Sequence, residues 1–252
     1  MPEADGLPLF YPGDARPAFS AEPYLRRLGR QAGILETARV LTLGMGHGPG
    51  PLFFAREFGA TVVAVEATEA EAKALTEQIK AAGLFDRVAV KVGPLIRPPV
   101  ADGTFDVIFV DARVPARLGE MLSGLRRHLA PRGRLVLVYP VRVGRHQNPA
   151  VARHWERLLG EPLVLPREAL QVVAEHGYEP QLVETLEDAA LDDFYGAIER
   201  ALEQAGPDER WARVREELSL FRSQGGRSTV SFAALVGRRR EPGEKPPAAR
   251  SE

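Results

Sequence analysis

Cysteine is absent from the 252 residues. Disulfides and cysteine-based zinc sites are excluded with it. Nothing in this composition asks for an oxidising compartment, and a cytoplasmic location is the expectation. Lysine is nearly absent too, occurring only at 73, 80, 91 and 245, so arginine supplies almost all of the 33 basic residues. With frequent alanine and proline, that bias points to a GC-rich genome more than to a function. Neither sign of charge dominates: the net charge is −1, which argues against a general nucleic-acid or anionic-membrane binder. No apolar run approaches the length of a membrane span, and the N-terminus lacks a basic-then-apolar leader pattern. Apolar residues make up 44% and charged residues 27%, an ordinary balance for a soluble globular chain. The length suffices for one large α/β domain with a proper core, and there is no internal repeat.

The stretch around which the rest is organised is Val40 to Gly50, V-L-T-L-G-M-G-H-G-P-G. Val40 to Leu43 is a short apolar run, broken only by Thr42, and reads as a strand buried on both faces. Glycines at 44, 46, 48 and 50 then let the backbone turn sharply and admit a ligand where a Cβ would clash. Pro51 opens a short helix to Phe58, proline being tolerated near a first helical position. Strand, glycine turn and helix N-terminus together cradle a nucleotide-like cofactor. A second strand, Thr61 to Val65, ends in Glu66, about where an acidic residue grips ribose hydroxyls in dinucleotide folds. The dinucleotide fingerprint G-x-G-x-x-G fails here, because Pro49 or Pro51 stands where its third glycine belongs. A dehydrogenase is therefore disfavoured.

G-x-G-x-G followed by proline resembles motif I of the class I S-adenosylmethionine-dependent methyltransferases. Gly59-Ala60-Thr61-Val62-Val63-Ala64-Val65-Glu66 resembles that family's next motif. Phe105 to Asp111 resembles its fourth strand, and Leu129-Ala130-Pro131-Arg132-Gly133-Arg134-Leu135 the L-x-P-G-G-x-L entry to its fifth. The resemblance runs in order over about residues 20 to 238. It implies a doubly wound, seven-stranded, mostly parallel sheet with an antiparallel last strand, and S-adenosyl-L-methionine as cofactor. It assigns Gly44, Met45, Gly46, His47 and Gly48 to the cofactor loop, Glu66 and Ala67 to the ribose end, and Pro94 and Leu95 to the adenine side. Two positions depart from the family pattern: Thr42 stands where an acid is usual, and Gly93-Pro94 where Gly-Asp is common.

Methyl transfer is an in-line displacement, so the chain must chiefly align a nucleophile and, where needed, accept its proton. Asp111 follows the fourth strand at the ligand-binding edge; it either contacts substrate or cofactor or is a solvated strand-end carboxylate. His146, after the fifth strand, reads as a general base or as an ordinary loop histidine. Tyr11 and Tyr195 are candidates to face the substrate, each with packing as the alternative. Arg142 and Arg145 would suit an anionic substrate. His128, His154 and His176 have no partners at metal spacing and read as surface or edge residues, so no metal is expected. Tyr139-Pro140 replaces the Asp-Asn pair of metal-dependent catechol-type enzymes, and Asp111-Ala112-Arg113-Val114 is not the motif of DNA amino methyltransferases. The expectation is a methyltransferase acting on a small-molecule substrate, with no nucleic acid or membrane partner and a homodimer as the assembly considered. The alternatives are a non-catalytic adenosyl-ligand-binding protein on a degraded methyltransferase fold, and an aminocarboxypropyl transferase.

In domain terms, residues 1–238 read as a single unit and 239–252 as a disordered, charged, proline-rich tail. Residues 1–33 form an N-terminal lid segment. Thr68 and Glu71 make a capping box for the helix after the second strand. Two amphipathic helices within 188–223 form a cap, one on Leu191, Phe194, Tyr195, Ile198 and Leu202, the other on Trp211, Val214, Leu218 and Phe221.

Overall fold

The apolar run at Val40 forms β1 (Arg39–Leu43), paired in parallel with β2 (Thr61–Glu66) on one side and β4 (Phe105–Val110) on the other. The computed structural model describes residues 21–45, 49–110, 116–145, 147–223 and 225–244, the side chains of Arg210 and Ser223 excepted. Beyond β2 lies β3 (Val88–Val92), and beyond β4 lies β5 (Leu129–Arg142), both parallel to their neighbours. β6 (Tyr178–Thr185) closes the sheet through β7 (Val230–Arg239), which runs antiparallel to both β5 and β6. The order is β3-β2-β1-β4-β5-β7-β6. Strands β1, β2 and β4 are buried almost throughout, as their continuous Val, Ile, Leu and Phe content requires of strands covered on both faces.

Between strands run α2 (Gly50–Phe58), α3 (Glu69–Ala82) and α4 (Leu118–Arg126). α1 (Glu22–Gln31) precedes β1 and packs on α2, tied to it by Arg26–Glu57 at 2.7 Å. Right-handed crossovers run outward from β1 and β4 in opposite senses, which puts α2 and α3 on one face and α4 on the other. The capping box holds: Thr68 Oγ1 accepts from Glu71 N, and Glu71 accepts from Thr68 N. After β5 come α5 (Pro149–Leu159) and α6 (Pro166–Glu175). α7 (Asp188–Ala205) and α8 (Ala212–Ser223) occupy the sequence between β6 and β7.

Three expectations need correction. β5 begins at Leu129, so the L-x-P-R-G stretch read as the entry to the fifth strand already belongs to it, with Leu129 paired to Phe105 and the register shifting before Arg134. There Arg132 holds a left-handed φ of 58°, the conformation for which glycine is the usual residue. Gly133 beside it is tightly enclosed: a Cβ would lie 3.0 Å from the carbonyl oxygens of Ala130 and Phe105, so a larger residue would need the backbone to give. The charged tail is ordered further than expected. β7 runs to Arg239, and the chain is held as far as Glu244 by Arg240 N on Gly177 O and by Arg238 between Glu179 and Glu244. Finally, His128 and His154 are buried, not superficial. His128 sits 3.1 Å from Asp102 Oδ1 at the start of β5, and His154 lies between α5 and α8.

Candidate cofactor and acceptor site

β1 and β4 are neighbours from which the chain winds outward in both directions. Open α/β sheets bind ligands at the carboxyl ends of such a pair. Register sets the four strand ends in a row. Leu43 is opposite both Val65 and Val110, and Glu66 is opposite Val92. Gly44 N donates to Val65 O at 2.9 Å, and Gly93 N to Glu66 O at 3.0 Å, so the turns leaving β1, β2 and β3 are locked together. Gly44 has φ 60°, which turns the chain out of the sheet at the first glycine. Glu66 is fully buried at the end of β2. A carboxylate is seldom buried so completely unless it serves a paired or bound group. It stands beside the left-handed turn at Gly44, at the strand switch point.

The neighbouring candidates divide by exposure. Met45 is buried; its side chain packs against Gly50, where a Cβ would meet Met45 Cε at 2.3 Å. Ala67 and Pro94 are exposed and Leu95 half-buried along the same edge. Thr42, in the usual acidic position, is buried in mid-strand, and among the described residues its Oγ1 has no hydrogen-bond partner. Tyr11, Gly46, His47, Gly48, Asp111 and His146 lie outside the described residues, as do most of the lid segment and the tail beyond Glu244. Arg142 ends β5, and the Gln147 amide, with its oxygen turned inward, accepts from Arg142 Nε at 2.9 Å. Tyr139 and Pro140 lie in mid-strand opposite Ala233 and Phe232.

Past the carboxyl end of β5, α5, α7 and α8 gather around the start of β7. Phe232 meets Trp155 of α5 and Phe194 of α7 edge-on, with centroids 5.8 and 5.4 Å away. Tyr195 is buried; its ring stacks on Phe221 at 3.8 Å and its hydroxyl donates to Glu217 at 2.8 Å. Glu217 is itself buried, 4.0 Å from His154 Nε2, while His154 Nδ1 lies 3.2 Å from Glu216. Burial holds the His154 pKa below its ordinary value, against an upward pull from Glu217 and Glu216. One polar network therefore joins three helices. Sequence reading placed Tyr195 on this stripe but missed Glu217 and His154. The signal for Glu217 was present: it lies three residues after Val214 and four before Phe221, on the apolar face of α8. Among the described residues, no cluster of three or more histidines or carboxylates could hold a metal ion. None of the described helices is long and apolar enough to cross a membrane.

Comparison with known proteins agrees with this geometry. Residues 40–133 match a methyltransferase domain family. A catechol O-methyltransferase of Mycobacterium tuberculosis is 30% identical over 159 residues, covering 59% of this chain and 71% of the relative. Two solved structures share the fold, both methyltransferases in complex with S-adenosyl-L-homocysteine. The one from Thiobacillus denitrificans superposes with a TM-score of 0.72 at 19% identity, covering 88% of this chain and 93% of the other. The one from Geobacter sulfurreducens gives 0.71 at 22%, covering 89% and 93%. The strand order, the glycine turn with its buried acid, and these relatives converge: the chain belongs to the class I S-adenosylmethionine-dependent methyltransferases.

Proposed function

We propose that this methyltransferase acts on a small-molecule nucleophile at the carboxyl edge of β4 and β5, with Glu66 holding the cofactor's ribose hydroxyls. The observation that carries the reading is the complete burial of Glu66 beside the left-handed turn at Gly44. Bound S-adenosylmethionine supplies an electrophilic sulfonium methyl group. The chain's part is to fix both partners and keep water out. Gly44 and the glycines after it are assigned to the cofactor's backbone contacts. Ala67, Pro94 and Leu95 are assigned to the wall around its adenosyl end. Asp111 and His146 follow β4 and β5 in the chain and are the candidates to orient the acceptor and take its proton. A cytoplasmic setting fits a chain without cysteine.

The Mycobacterium relative is named for catechol O-methylation, which makes a catechol the first acceptor to assay. Tyr139 and Pro140, within β5 and buried, offer no metal ligands at the position where metal-dependent catechol-type enzymes carry Asp-Asn. Titration calorimetry with S-adenosylmethionine, S-adenosylhomocysteine and NADH tests the cofactor assignment. Binding of both adenosyl ligands and not of NADH is expected. Binding of NADH alone, or of no ligand at millimolar concentration, would overturn it. Methyl transfer to catechol is then followed by mass spectrometry over a panel of small hydroxyl and amine acceptors.

A further inference from the structure

The loop leaving β3 starts at the backbone of Glu66. Val92 ends β3 in register with Glu66, and the next residue, Gly93, donates its N–H to Glu66 O at 3.0 Å. Gly93 also lies flat against the far arm of the same loop: a Cβ there would fall 2.7 Å from Pro99 Cδ. Pro99 O in turn accepts from Lys91 Nζ at 3.1 Å, and Val100 N donates to Pro98 O at 2.8 Å. On the other side the loop rests on α4, where a Cβ on Gly124 would fall 2.6 Å from Ile96 O. The stretch from 93 to 96 is thus pinned to β2, to its own return arm and to a helix.

What this fixed stretch presents is apolar. Pro94 is exposed, and Leu95 and Ile96 are half-buried against the core. None of the three side chains carries a hydrogen-bonding atom, and Pro94 lacks even a backbone N–H. The chemistry of purines gives that a consequence. Adenine carries an amino donor at position 6; its deaminated counterpart, hypoxanthine, carries an oxo acceptor there. A carboxylate on this loop would accept from the first and repel the second. An apolar wall reads the shape of the ring and discriminates weakly between polar isosteres.

We propose that Pro94 makes the cofactor site permissive at the base: with Leu95 and Ile96 it holds a purine ring by apolar contact and leaves position 6 to solvent, so adenosyl ligands and their 6-oxo counterparts bind alike. The inference rests on the assignment of Pro94 and Leu95 to the adenosyl end of the cofactor.

The test is calorimetry on the full chain with S-adenosylhomocysteine and S-inosylhomocysteine. The wild type should bind the two with dissociation constants within about threefold of each other. Pro94→Asp, at an exposed position, should create a preference for the adenosyl ligand of about tenfold or more, the range expected of one hydrogen bond to a carboxylate. Pro94→Ala should leave the two constants alike, which separates the new carboxylate from loss of the proline ring. Leu95→Ala should weaken both ligands by a similar factor. If Pro94→Asp does not fold, the ratios in the wild type and Pro94→Ala decide. A wild-type preference of about tenfold or more for either ligand, or a folded Pro94→Asp with an unchanged ratio, would overturn the proposal. Failure of the wild type to bind either ligand would instead overturn the cofactor assignment itself.

Discussion

A single buried carboxylate separates the proposed cofactor site from an ordinary strand end. Glu66→Ala should leave the fold intact and raise the dissociation constant for S-adenosylhomocysteine by at least tenfold. Each charge-assisted bond lost is worth about 1.5–3 kcal/mol. An unchanged constant in calorimetry would return Glu66 to the status of a structural residue. Thr42 invites the opposite experiment. It occupies the family's acidic position, yet it is buried in the central strand between β2 and β4. Thr42→Val keeps the shape and removes a buried hydroxyl, so stability to urea should rise by about 1 kcal/mol. A fall would overturn the reading of this hydroxyl as an unsatisfied buried group. Thr42→Asp, which would supply the acid usual at this position in the family, would bury a carboxylate there at a cost of several kcal/mol.

At the scale of elements, α5, α7 and α8 act as one unit because Tyr195, Glu217 and His154 meet beneath them. Tyr195→Phe removes the bond to a buried carboxylate, worth about 1.5–3 kcal/mol. Hydrogen exchange should therefore speed up in residues 188–223 together while the strands stay protected. Acceleration confined to α7 would show that α8 is held by packing alone. These elements differ in how legible they were. The left-handed turn at Gly44, the capping box at Thr68 and the apolar stripes of α7 and α8 are local patterns, and each was readable. The capping of α4 by Glu161 was not, because a cap from 43 residues away leaves no trace in spacing. Nor was the burial of His128, which follows from the early start of β5 at Leu129. The likeness to family motifs points to the proposed cofactor edge, but the side chains beyond β5 acquire their roles only from tertiary contact.

For the molecule as a whole, the two buried histidines set an acid limit. Burial is the main cause that lowers both pKa values beneath the ordinary 6.5. The Ala101 carbonyl and Asp102 pull His128 upward while Arg127 opposes; Glu217 and Glu216 pull His154 upward while Arg157 opposes. With folded values below the unfolded ones, the unfolded chain takes up protons first. The contribution is complete above about pH 6.5 and is lost as pH falls through the lowered folded values. Urea midpoints measured from pH 7.5 downward should decline from about pH 6.5, and His154→Gln should flatten part of that decline. An unchanged slope in that variant would assign the acid response elsewhere.

The position of β7 bears on how the protein is made. This strand follows β5 and β6 in the chain, yet it lies between them in the sheet, paired along Arg134–Arg142 of β5 on one side and along most of β6 on the other. Until it arrives, the nascent chain holds two unzipped margins in search of the same missing piece, and each is a template for pairing with another copy. Residues Val230–Arg239 are therefore the keystone of the sheet. A chain cut just before Val230 would be not a slightly trimmed enzyme but a sticky one.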